Sequence, residues 1–213
     1  FKQRKFKTIV LSWCDKNSFK KNIYYDRYFS ASSRSEKDTL WLLVSMDNFY
    51  TNKIQNVIIF RPKIKLWKFL IFLFTSLYNF LKNKNLTYFF TLENFYIKID
   101  KIITSLIKSN NFKTFICPYE GQTFQNFIIN NINNRSSIKT LGYVHSALPP
   151  LPTEYIKRPG APQKLIVHGK MQKKILINKL GWDTKEVILK ESARYRRKNK
   201  INFLNKVFIP MTF

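Results

Sequence analysis

Glycine is scarce in this chain, with five residues in 213. That excludes the glycine-rich loops that cradle phosphates, and neither a Walker loop nor a GxGxxG pattern occurs. Histidine and cysteine are scarcer still, two of each. There is no HExxH, no CxxC and no Cys/His spacing suited to zinc, so no metal site is expected. Cys14 and Cys117 each end an apolar run and read as buried free thiols in a reducing compartment. No signal-peptide pattern is evident. The chain opens on Phe1 and closes just after a fresh apolar run, so both ends read as cuts in a longer protein. The longest apolar stretch, Leu66 to Leu81, contains Lys68 and falls short of the roughly 20 residues that a spanning helix needs.

Acidic residues are also few. Lys and Arg number 38 against 12 Asp and Glu, a net charge of +26. This charge fits a polyanionic partner such as nucleic acid, anionic lipid or a nucleotide-activated substrate. It fits compositional drift as well, because Lys, Asn, Ile and Phe are enriched together. No nucleic-acid motif is present, and the aromatics sit mostly inside apolar runs, so no specific nucleic-acid partner is expected. The Leu66–Leu81 stretch is flanked by Arg61, Lys63, Lys65, Lys82 and Lys84. It reads either as a helix lying on an anionic membrane surface or as an ordinary core helix.

The chain is 45% hydrophobic, ample for a sizeable core. Short, continuous, β-branched runs predict strands over Lys7–Trp13, Thr39–Met46, Asn56–Phe60, Lys113–Pro118, Lys139–Val144, Lys164–His168 and Glu186–Lys190. Helical spacing predicts helices over 66–81, 92–108, 122–133 and 170–180, the last closed by Gly181. Between Cys14 and Asp38 no period is visible, and a functional loop with local structure is expected there. Residues 147–162 are proline-rich and irregular. Strands that are apolar throughout, alternating with helices, indicate an α/β fold: a doubly wound, mainly parallel, Rossmann-like sheet covered on both faces. Residues 1–193 form this domain. Residues 194–201, strongly basic, read as a linker, and 202–213 as the first strand of a second, truncated domain.

In such a sheet, ligands bind beyond the carboxyl ends of the strands. The residues there include Trp13, Cys14 and Asp15, then Tyr119, Glu120, Gly121 and Gln122, then His145 and Ser146, then His168, Gly169 and Lys170. Glu120 and His145 would project from consecutive strand ends, a pairing able to supply a general base. Each has a plainer reading: Glu120 as a carboxylate facing a helix dipole, His145 as a structural histidine beside a proline-rich turn. His168 reads as structural. Asp26, Arg27 and Tyr28 lie in the polar loop, where they either contact a sugar or form a surface turn.

The segments CPYEGQTFQ (117–125), LGYVHSALPP (141–150), LIVHGKMQKKILINKLGW (165–182) and ESARYR (191–196), with DRYF (26–29) and TLWLLVS (39–45), together resemble the N-terminal half of bacterial capsule and O-antigen glycosyltransferases. These are GT-B enzymes akin to the Kdo- and sialic-acid-type transferases. The resemblance implies an acceptor-side domain with Glu120 and His145 as catalytic candidates; Asp26 and Arg27 of the polar loop and Tyr119 and Gln122 of the strand end are expected at the acceptor. Arg194 would lie at an interdomain hinge, reaching donor phosphate. It further implies a glycan or lipid-linked acceptor and no tightly bound cofactor. A nucleotide-sugar donor, CMP-linked in the Kdo and sialic-acid types, would be held by a C-terminal half that is missing here, so that this portion alone would be inactive. The implied location is cytoplasmic, peripheral to the inner face of the cytoplasmic membrane. The reading set against this is a basic module, binding nucleic acid or a membrane surface without catalysis.

Overall fold

The structure is a computed structural model. It describes residues 6–45, 47–49, 51–61, 74, 77, 78, 81, 93–146, 148 and 152–192. The expected linker, the expected second-domain strand and Arg194 lie outside these residues, as does most of the 66–81 stretch.

Seven strands form one sheet: β1 (Thr8–Trp13), β5 (Thr39–Val44), β6 (Val57–Phe60), β7 (Thr114–Pro118), β8 (Lys139–Tyr143), β9 (Lys164–Val167) and β10 (Val187–Leu189). Their order across the sheet is β10-β9-β8-β7-β1-β5-β6, and every pairing in it is parallel. The chain winds outward from β1 through β5 to β6. It then returns past β1 to β7 and winds the other way. The two directions part between β1 and β7, the switch point where an open α/β sheet leaves a crevice beyond its strand ends. The doubly wound parallel sheet expected from the sequence is the fold observed.

Burial explains the unbroken apolar runs. All six residues of β5 are buried, because side chains that alternate across the sheet meet a cover on each face. Ile9, Leu11, Leu40, Leu42 and Val44 join the larger core, beneath helices α1 (Glu93–Ser109) and α2 (Thr123–Arg135). Ile99, Ile103, Ile128 and Ile129 are fully buried there, each contributing about 1.5–3 kcal/mol of burial free energy. Asp100 and Arg135 pair at 3.4 Å between the two helices. A further helix, α3 (Lys170–Lys179), joins β9 to β10. It ends as expected at Gly181, whose φ of +76° is left-handed, while Trp182 N–H donates back to the Leu176 carbonyl.

The opposite face, at β1 and β5, carries a cover of a different kind. The period-free segment folds as a three-stranded antiparallel meander of β2 (Phe19–Lys20), β3 (Ile23–Asp26) and β4 (Ala31–Ser32). It stands where a crossover helix is usual. Tyr24, fully buried, packs with its ring centroid 5.3 Å from that of Trp41 and joins Val10 and Leu43 in a second core. The meander therefore anchors the 26–29 turn above the strand ends.

Both cysteines are free; Cys117 is buried and Cys14 only partly so, which corrects the expectation of two buried thiols. Burial raises both thiols, Cys14 to about 11 and Cys117 to about 12. Among the described residues, no helix is long and apolar enough to cross a membrane.

Candidate active site

Glu120 follows β7 and His145 follows β8, neighbouring parallel strands in register from Thr114 and Lys139 to Pro118 and Tyr143. Shared direction places both side chains beyond the same edge. His145 Nε2 lies 3.5 Å from Glu120 Oε1, within ion-pair reach and longer than a firm hydrogen bond. The His145 side chain is 12% exposed and that of Glu120 is 43% exposed. The second carboxylate oxygen of Glu120 accepts from Gln122 Nε2 at 2.8 Å. Glu120 is thus held from two sides with one flank open to solvent.

Backbone geometry fixes the carboxylate further. Tyr119 N–H donates to the Tyr143 carbonyl at 2.9 Å, extending the ladder by one residue. Gly121 then turns with φ +69°. A Cβ on Gly121 would stand 2.0 Å from the Glu154 carbonyl oxygen, so glycine is required by both conformation and space. Arg158 Nη2 donates to the Gly121 carbonyl at 2.6 Å, which ties the 152–161 segment across the turn.

The meander supplies the other wall. Asp26 is 3% exposed. Its carboxylate accepts from Ser12 Oγ at 2.5 Å and Tyr24 OH at 2.6 Å. It also accepts from the backbone N–H groups of Tyr28 and Phe29, both at 2.8 Å. This folds residues 26–29 into a tight turn. The turn lays the Tyr28 ring edge-on to His145, centroids 4.7 Å apart, and Phe29 on Tyr143 at 4.8 Å. Burial, with Asp26 alongside, raises the Tyr24 hydroxyl far above its usual range.

Arg27 is exposed and pairs with Asp15 just after β1. Burial by itself would raise the Asp15 carboxyl, but hydrogen bonds from Ser18 and Arg27 outweigh it and hold the group below its usual value. Arg27 is correspondingly raised, chiefly by the same hydrogen bond. Beside this pair is an open depression of about 490 Å³ lined by Asn17, Ser18, Lys20, Tyr25, Asp26 and Arg27. It shares no residue with the Glu120–His145 pair.

Of the residues singled out in the sequence, Glu120, Gln122 and His145 come together. Asp26 reaches them only through Tyr28. Tyr119 points into the core, fully buried, with its hydroxyl bonded to Asn126 Oδ1 at 2.7 Å. His168 sits under Tyr143, ring centroids 5.0 Å apart, with Nδ1 2.8 Å from the Lys190 carbonyl oxygen, a structural placement. Two residues at this edge escaped the sequence reading, Gln125 and Gln172. The signal that marks them is a glutamine in the first turn of a helix that follows a strand. Among the described residues, no group of three or more metal-ligating side chains lies together.

No protein-family model matches the chain, and no curated protein matches it. Among solved structures it is similar to a glycosyltransferase from Rickettsia africae ESF-5, with a TM-score of 0.41 and 8% identity. That likeness covers 87% of this chain and 43% of the other, so the chain spans less than half of that protein's length.

Proposed function

We propose that the chain is the acceptor-binding half of a glycosyltransferase and that Glu120 is its general base. The supporting observation is the Glu120–His145 contact at the shared edge of β7 and β8, beside the switch point where such sheets bind ligands. Glu120 is the more exposed partner and the one an acceptor hydroxyl can reach. In the reaction that hydroxyl attacks the anomeric carbon of the donor. The bond from that carbon to the donor phosphate oxygen breaks, and the nucleotide leaves with the electron pair. Glu120 takes the hydroxyl proton as attack proceeds, while His145 and Gln122 orient its two oxygens. A positioned base of this kind contributes about 10²–10⁴-fold.

In this reading Arg27 and Tyr28 contact the acceptor glycan, and the depression that Arg27 lines receives part of it. The nucleotide sugar, CMP-linked by the resemblance to the Kdo and sialic-acid types, would be bound by a second domain opening near residue 202, with Arg194 at the hinge. The test is conversion of nucleotide sugar by the full-length protein supplied with glycan and lipid-linked acceptors. Product that depends on both donor and acceptor supports the reading, and no product with any donor class contradicts it.

A further observation favours work at a membrane surface. The described residues Phe74, Leu77, Tyr78 and Leu81 are helical and 70%, 43%, 63% and 67% exposed. Their i, i+3, i+4, i+7 spacing makes one apolar stripe. Lys63, Lys65, Lys68, Lys82 and Lys84 surround it in the sequence, the combination that suits an anionic bilayer face. This supports a peripheral position on the inner leaflet, where lipid-linked acceptors are presented.

A further inference from the structure

Two strand exits at this edge are closed by the same device. After β7, Gln125 Oε1 accepts from Glu120 N–H at 2.9 Å and Gln122 N–H at 3.2 Å, and its Nε2 donates to the Pro118 carbonyl at 2.7 Å. After β9, Gln172 Oε1 accepts from His168 N–H at 3.1 Å and Gly169 N–H at 3.0 Å. Each glutamine sits in the first turn of the following helix and satisfies two N–H groups at that helix's entrance. The devices differ in where the remaining donor goes. Gln125 returns it to its own strand. Gln172 Nε2 sends it sideways, 2.9 Å to the carbonyl of Ser146 at the neighbouring strand exit.

The consequence falls on His145. On one side Val144 N–H is tied to the Ile166 carbonyl of β9 at 3.0 Å. On the other, Ser146 is tied to Gln172. The histidine is the single residue between two anchors, and both anchors belong to the β9–α3 unit. Capping needs only the amide oxygen of Gln172, and nothing in a helix start calls for the sideways bond.

We propose that Gln125 and Gln172 are matched positioning residues, Gln125 fixing Glu120 and Gln172 fixing His145, so that the pair is held from two separate helices. This rests on the reading of Glu120 and His145 as the functional pair. The geometric half of it is testable without turnover.

The decisive variant is Gln172→Glu. A carboxylate keeps the acceptor oxygens for His168 and Gly169 but cannot donate to Ser146, and Gln172 is partly exposed, so the fold tolerates the charge. The chain has two histidines, so ¹⁵N-histidine labelling gives two ring systems, assigned with His168→Gln. The expected result is loss of the cross-relaxation between the His145 and Tyr28 rings, with the His168 ring signals and the thermal midpoint unchanged. In the full-length protein, kcat should fall about 10–100-fold with KM unchanged, the scale of a small misplacement. Gln172→Met, which removes both functions, should show the same ring signature and a lower midpoint. If Gln172→Glu keeps the His145–Tyr28 signal, Gln172 is a cap alone and the proposal is overturned. Loss of that signal in a protein that turns over no nucleotide sugar would uphold the positioning and reject the transferase reading.

Discussion

His145 Nε2 stands 3.5 Å from Glu120 Oε1, two side chains delivered by adjacent parallel strands and joined by no local turn. The contact depends on strand register. Pro118 pairs with Tyr143, which brings each exit residue level with the other.

Asp26 should prove structural in the first instance. Replacing it with Ala leaves four donors without their shared acceptor in a buried place, and a loss of about 3–5 kcal/mol is expected. Chemical denaturation measures it. The same variant should free Tyr28 from His145, seen as a change in the histidine ring signals. A stability loss below about 1 kcal/mol would show that the turn is held by something else.

Gly121→Ala should destabilise by about 2–4 kcal/mol, combining a left-handed residue with a clash against backbone. Thermal unfolding checks the size. The substitution acts beside Glu120, so on the proposed reading the full-length protein should lose turnover by more than its folded fraction explains.

Acid should weaken the fold through two carboxyls. Burial tends to raise Glu186, but the Lys157 hydrogen bond at 2.7 Å, the Asp183 backbone hydrogen bond and the Lys157 charge together outweigh it, and the group is lowered below 4.5. Asp15 is likewise held below 3.8. A carboxyl lowered in the folded state stabilises above its unfolded pKa, and that contribution disappears as pH falls through the folded value. Stability should therefore be flat near neutrality and decline below about pH 4.5, the start of the window set by Glu186. Glu186→Gln should flatten the upper part of that decline. Both pairs are partly solvent-exposed, so each is worth no more than about 1 kcal/mol.

The exposed stripe makes its own prediction. Replacing Phe74 and Leu81 with Glu should abolish flotation with vesicles containing phosphatidylglycerol and leave the midpoint unchanged. A fall in midpoint with flotation retained would make these residues part of the core.

Much of the fold was legible in the sequence because its strands are continuous apolar runs that Pro118, His145 and Gly169 interrupt or follow. That pattern belongs to a sheet covered on both faces. The meander was not legible. Strands as short as Phe19–Lys20 and Ala31–Ser32 carry no period, and only Tyr24 packing on Trp41 reveals what they cover. Asp26 misled for a related reason. An acid in DRYF reads as a surface residue, whereas Ser12 and Tyr24, supplied by β1 and β3, make its burial tolerable. Glu120 and His145 could be found from strand ends alone. Gln125 and Gln172 could not, because their roles depend on which backbone groups the helix starts leave open.

The most direct test of the central claim is the turnover of Glu120→Gln and His145→Ala in the full-length protein, with nucleotide sugar and acceptor saturating. Glu120→Gln should lower kcat by about 10²–10⁴-fold, with His145→Ala less severe, and leave donor binding unchanged. Wild-type turnover in both variants would contradict the assignment of this strand-edge pair as the reacting site.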